Sequence, residues 1–151
     1  MSSCEATRVR GSQSAAMLDR RTLCFERQRG EVEALVEVFA GADAGVVARA
    51  GEALAGLPDL GACGVAALDA DADADAESVV DEARREDIEA GFASLARARV
   101  ELRVGRPERA SELARAAQTL GETLDHVPLA LDARALLAMV SSWNSSPFAL
   151  P

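Results

Sequence analysis

No lysine occurs anywhere in this 151-residue chain, and all sixteen basic residues are arginine. That absence removes the phosphate-anchoring lysine of P-loop and protein-kinase chemistry, and any Schiff-base mechanism. Tyrosine is absent too, and the one histidine is His126, so proton-transfer chemistry has few carriers. Aromatic residues make up 3% of the chain against 49% hydrophobic overall. Much of that hydrophobic share is alanine, the strongest helix former, while the β-branched and aromatic runs that build strands are scarce. The composition predicts an all-α protein. No apolar run approaches the ~18 residues of a membrane span. The opening "MSSCEATRVRG" has no apolar stretch of the kind a signal peptide needs. The chain is therefore expected to be cytoplasmic when expressed alone.

The net charge of -9 is unevenly placed. Residues 1–30 hold six arginines against three acids, residues 31–96 three arginines against sixteen acids, and residues 97–151 seven arginines against six acids. An acidic middle is a poor groove for nucleic acid. The basic start lacks interleaved aromatics and reads as solvated helix faces, so no nucleic-acid partner is expected.

Helical periodicity organises what remains. Residues 2–10 read as a helix stopped by Gly11, with Ser12 or Ser14 able to cap the next one. A long helix then extends to about Ala40, with Met17, Leu18, Cys24, Phe25, Val32, Leu35 and Phe39 as its apolar positions and a kink expected at Gly30. Asp43 is the predicted cap of one helix over residues 44–57, with Val46, Val47, Ala50, Leu54 and Leu57 in a stripe. Residues 59–77 read as loop and spacer. Ser78 is the predicted cap of a helix to Val104, facing inward through Ile88, Phe92, Leu95, Ala98 and Leu102. A shorter helix over 107–120 ends before Gly121, and a last one covers about 127–142. The predicted divisions are a helical region to residue 68, an acidic spacer over 69–77, repeat-like helices over 78–142 and a disordered tail over 143–151.

The stretch from "CEATRVRGSQ" at residues 4–13, through Leu18, Arg20, Arg21 and Cys24, to "ADAGVVARA" and "LPDLGAC" resembles the region that follows the kinase domain in myxobacterial-type bacterial serine/threonine protein kinases. The resemblance covers about 60 residues, 4–64. It departs from the family at Ser12, where glutamate is usual, and at Gly30. It implies a noncatalytic sensor or docking segment, and tetratricopeptide repeats after it. It also implies that a parent kinase could place this region outside the membrane. Independently, "LARARVELRVGRPERASELARAAQTL" carries small residues at Ala98, Ala110 and Ala117 around a turn at Gly105, as paired repeat helices require. One repeat and a half is fewer than the three or so that bury a solenoid core, so the chain reads as a piece of a longer stack.

Site chemistry has three candidates. In "DADADADAESVVDE", Asp71, Asp73, Asp75 and Glu82 fall at positions one, three, five and twelve of a calcium loop. Position six, however, is Ala76 rather than the glycine of the sharp turn, and position eight is Ser78 rather than a hydrophobic residue. Alanine–aspartate repetition is spacer composition, and a weak cation site is the alternative function. Cys4, Cys24, Cys63 and His126 include zinc-ligand types without the short spacings of a zinc site, and a small Cys/His enzyme ranks further behind. A disulfide from Cys4 to Cys24 or Cys63 is weighed against three small buried hydrophobes. His126 reads as a helix-capping or surface residue.

No catalytic, cofactor-binding or metal residue is assigned, and no cofactor is expected. The partner is expected to be a protein, or a second copy meeting the edge formed by Leu129, Leu131, Leu136, Leu137, Met139 and Val140. Trp143 and Phe148 are alternative covers for that edge. The arginine-rich helix over residues 97–115 is a further candidate docking surface.

Overall fold

The computed structural model describes residues 15–64 and 82–144. The predicted helix over 2–10, the caps at Ser12, Ser14 and Ser78, Cys4, the spacer 69–77 and the tail beyond residue 144 lie outside the described residues. Among the described residues every regular element is helical, so the chain is all-α. In chain order these are α1 (Ala15–Ala40), α2 (Ala44–Ala48), α3 (Ala50–Ala55), a 3-10 turn (Leu60–Cys63), α4 (Glu82–Arg103), α5 (Pro107–Thr123) and α6 (Val127–Asn144). None of them is long and apolar enough to cross a membrane.

Two compact units divide the chain. Among the described residues, 15–29 group with 58–64, and 30–57 group with 82–144. The described part of the helical region read over 1–68 contributes to both units, and its apolar residues Ala34, Leu35, Val38, Val46 and Ala53 pack with Ala96, Val100 and Val104 of α4 and its end.

α1 passes through Gly30 without interruption. Its inward stripe steps alternately by four and three residues: Met17, Arg21, Cys24, Gln28, Glu31, Leu35 and Val38. That spacing keeps one side of a helix facing a neighbour. Gln28 and Glu31 are buried on it, while Phe25 and Val32, expected inside, are exposed. In the larger unit Ala34, Leu35 and Val38 join Val46, Ala53, Ala96, Val100 and Val104 in one core. A second core joins Leu95 and Ala98 of α4 to Ala114 and Ala117 of α5 and to Leu129, Ala133 and Leu136 of α6. α4 therefore buries two faces, of which the sequence reading found only the second.

The helix expected over 44–57 is two helices. Asp43 caps α2 as predicted, its Oδ1 accepting from the Val46 N–H at 2.9 Å. The backbone then leaves helical geometry at Arg49. Ala53 turns inward while Val47 and Leu54 stay exposed. Arg49 lies over the Trp143 ring, 6.0 Å from its centroid. Gly105 stands in the left-handed region, φ 80°, which favours glycine, and the Arg49 guanidinium lies against it.

Helices α4, α5 and α6 are joined by two turns of the same design. After α4, the Arg106 N–H donates to the Glu101 carbonyl at 2.8 Å, with Gly105 at φ 80°. After α5, the His126 N–H donates to the Gly121 carbonyl at 2.8 Å, with Asp125 at φ 53°. In both, the left-handed residue reverses the chain and satisfies the last carbonyls of the helix, the Schellman arrangement. Gly121 does not stop α5, as the sequence suggested; α5 continues to Thr123. The glycine is there for closeness, since a Cβ on it would sit 2.8 Å from the backbone nitrogen of Ala130. α6 runs to Asn144 and takes in Trp143, which the sequence reading placed in the tail.

Candidate interaction surface

α6 is the last described helix. Its inner face, Leu129, Ala133, Leu136 and Val140, is buried. The edge expected to lie open is thus largely covered by α4 and α5, because Leu129 and Leu136 belong to the second core. What remains outward is narrower: Val127, Leu131 and Met139 at 60%, 56% and 51% exposure, with exposed Ala135 between them. These four positions are spaced by four residues and form one ridge, the feature with which helices pack into each other's grooves.

Beside the first half of the ridge lies an open cleft of about 250 Å³, with Glu122, His126, Val127, Leu131 and Arg134 in its lining. Arg134 Nη2 donates to Glu122 Oε1 at 2.9 Å, and Gln118 Nε2 donates to the same oxygen at 2.9 Å. The Gln118 amide, followed by Arg134, holds the Glu122 carboxyl below its usual range. His126 is occupied structurally, as a cap: its Nδ1 accepts from the Leu129 N–H at 3.1 Å, which puts the proton of the neutral ring on Nε2. Its ring meets Phe92 edge to face at 5.8 Å. The cleft thus sets a paired carboxylate and guanidinium beside apolar side chains.

Apart from the exposed Arg115, the arginines of residues 97–115 are engaged by acids and are not the open basic surface that the sequence suggested. Arg97 pairs with Glu37 at 3.1 Å, Arg103 with Glu31 at 2.8 Å, and Arg106 with Asp43 at 2.7 Å. Arg99 lies between Glu31 at 3.3 Å and Asp132 at 3.6 Å, and Arg109 pairs with Glu112 at 2.9 Å. Glu31, Glu37 and Asp43 meet arginines of α4 and its following turn, so part of the opposite charge of the two segments is paired within the larger unit.

The cysteines resolve into a pairing that the sequence reading did not consider. Cys24 and Cys63 form a disulfide, closing a separation of 39 residues. Of the calcium-loop positions, Glu82 opens α4 and the aspartates lie outside the described residues. Among the described residues no group of three or more His, Cys, Asp or Glu side chains is placed to hold a metal ion. No protein-family model matches the chain, and no curated protein or solved structure is significantly similar to it.

Proposed function

We propose that the chain is a noncatalytic protein-interaction segment that docks through the outward ridge of α6. The observation that carries this reading is the run of Val127, Leu131, Ala135 and Met139, apolar and exposed on a helix whose other side is fully packed. The two equivalent turns at Gly105 and Asp125 add support. They make α4–α5 and α5–α6 successive hairpins, the arrangement that a tetratricopeptide-like stack extends by adding helices. The resemblance of residues 4–64 to the post-kinase region of bacterial serine/threonine kinases fits a regulatory role of this kind. Phosphotransfer is not part of the proposal, since the chain has no lysine to anchor a phosphate.

A ridge of four-residue spacing is complementary to the same ridge on a second copy, and the small Ala135 near its middle lets two helices cross closely. The isolated chain therefore self-associates through α6. Static light scattering against concentration tests this. The native chain gains mass as concentration rises, and Leu131→Glu with Met139→Glu stays monomeric while keeping its helical circular dichroism. A native chain that is monomeric at every concentration overturns the reading.

A further inference from the structure

The ridge of α6 is apolar along its length and carries charges of opposite sign on its two sides. Val127, Leu131, Ala135 and Met139 follow one another at four-residue steps. On a helix of about 3.6 residues per turn, Asp132 stands ~80° to one side of that row and Arg134 ~80° to the other. Both side chains reach solvent, Asp132 at 45% and Arg134 at 59% exposure. Each has its counter-charge on another helix of the same chain. Arg134 donates to Glu122 of α5 at 2.9 Å, and Asp132 lies 3.6 Å from Arg99 of α4. Neither group is used up by its pairing. The guanidinium has further N–H donors, and 3.6 Å is longer than a hydrogen bond.

These flanks decide how a second copy crosses the ridge. In a two-fold pair whose helices run the same way, the left flank of one helix borders the right flank of the other. When the helices run opposite ways, each flank borders its own copy. The first arrangement sets Arg134 beside the second copy's Asp132, twice. The second sets arginine beside arginine and aspartate beside aspartate. We propose that the occupant of the α6 ridge is a second copy crossing in the same direction, with Arg134 of each chain paired to Asp132 of the other. The inference rests on the docking reading above and adds the sense and register of the contact. Across each flank the charges then alternate: Glu122, Arg134, the second copy's Asp132 and the second copy's Arg99. Residues of equal number meet near the crossing, and the small Ala135 lies where the two backbones come closest. The ion pairs stay at the rim, where an exposed pair adds little to affinity. Their effect is on choice, because like charges side by side oppose the other crossing.

Charge reversal in the full chain, read by static light scattering against concentration, tests the pairing. Asp132→Arg alone and Arg134→Asp alone each set like charges across both flanks. Each is expected to raise the dissociation constant by about tenfold or more. An equal mixture of the two variants regains native association, because every facing pair is again of opposite sign. A chain carrying both changes does the same. Mixing does not mend a chain that has failed to fold, so its rescue marks a lost contact. The sense of crossing is read with native charges, from Leu131→Cys and Met139→Cys chains carrying Cys4→Ser and a short bis-maleimide. Each alone is expected to give a covalent dimer, and should a reversal fail to fold, these links still decide. Single reversals that associate as tightly as the native chain overturn the same-direction pairing. So do links between positions 131 and 139 formed in preference to links between equal positions. Both outcomes leave the docking reading in place, whereas a native chain that is monomeric at every concentration removes that reading and this inference with it.

Discussion

Gly121 and Ala130 meet backbone to backbone: a Cβ on the glycine would lie 2.8 Å from the Ala130 nitrogen and 3.2 Å from its Cα. α5 and α6 approach as closely as they do because position 121 has no side chain. Gly30 is the opposite case, since a Cβ there would make an ordinary 3.9 Å contact with Ala96.

The two glycines therefore respond oppositely to the same substitution. Gly121→Ala must push two helices apart and is expected to destabilise the chain by about 2 kcal/mol. Gly30→Ala gains helix propensity at no steric cost and is expected to stabilise it by roughly 0.5–1 kcal/mol. Urea midpoints at a constant m-value check both. A destabilised Gly30→Ala would mean that the helix needs flexibility at that position.

Glu31 is the buried end of the charge network. Its side chain is 10% exposed between Arg99 and Arg103, which are 28% and 23% exposed. Glu31→Ala takes from Arg103 its 2.8 Å partner in a half-dry site, leaves Arg99 with Asp132 alone, and is expected to cost about 3 kcal/mol. Glu112→Ala is the control. Its pair with Arg109 is more than half exposed on both sides, and its loss should fall within ~0.5 kcal/mol. Equal effects would contradict the assigned difference in burial.

Acid sensitivity follows from two carboxylates. The Val46 N–H, and then Arg106, hold Asp43 below its ordinary 3.8. Gln118 and Arg134 hold Glu122 below its ordinary 4.5. A folded-state value below the unfolded one favours the folded chain above the ordinary value, and that stabilisation is lost as pH falls through the lowered one. Melting temperature should therefore fall on acidification below about pH 4. Asp43→Asn keeps the cap and loses the charge, so it should lie below the native chain at neutral pH and converge with it in strong acid. Curves that stay parallel throughout would contradict the assignment.

The all-α class, the Asp43 cap and the turn at Gly105 were legible because each depends on local chemistry, and capping was one of the two readings open for His126. The inward stripe of α1 was not, since Arg21, Gln28 and Glu31 occupy it and hydrophobicity alone points to Phe25 and Val32. The second face of α4, Ala96, Val100 and Val104, was hidden by a stronger pattern on the same helix. Gly121 read as a stop because a glycine near a helix end usually ends it, and only the position of Ala130 shows its other use. The Cys24–Cys63 pair was out of reach because sequence spacing places no limit on which thiols meet. The paired arginines of α4 were half legible, in the opposite charges of the two segments, without the register that joins Glu31 to Arg103.

The docking reading turns on whether two copies meet at the ridge of α6, and site-directed cross-linking tests that contact directly. Ala135→Cys places a thiol near the middle of the ridge, and Ala116→Cys places one on the exposed side of α5, both in a Cys4→Ser chain without reductant. With a short bis-maleimide, the account predicts a covalent dimer from Ala135→Cys, its yield rising with concentration and abolished by Leu131→Glu, and none from Ala116→Cys. Equal yields from the two positions, or no dimer from Ala135→Cys at any concentration, would contradict it.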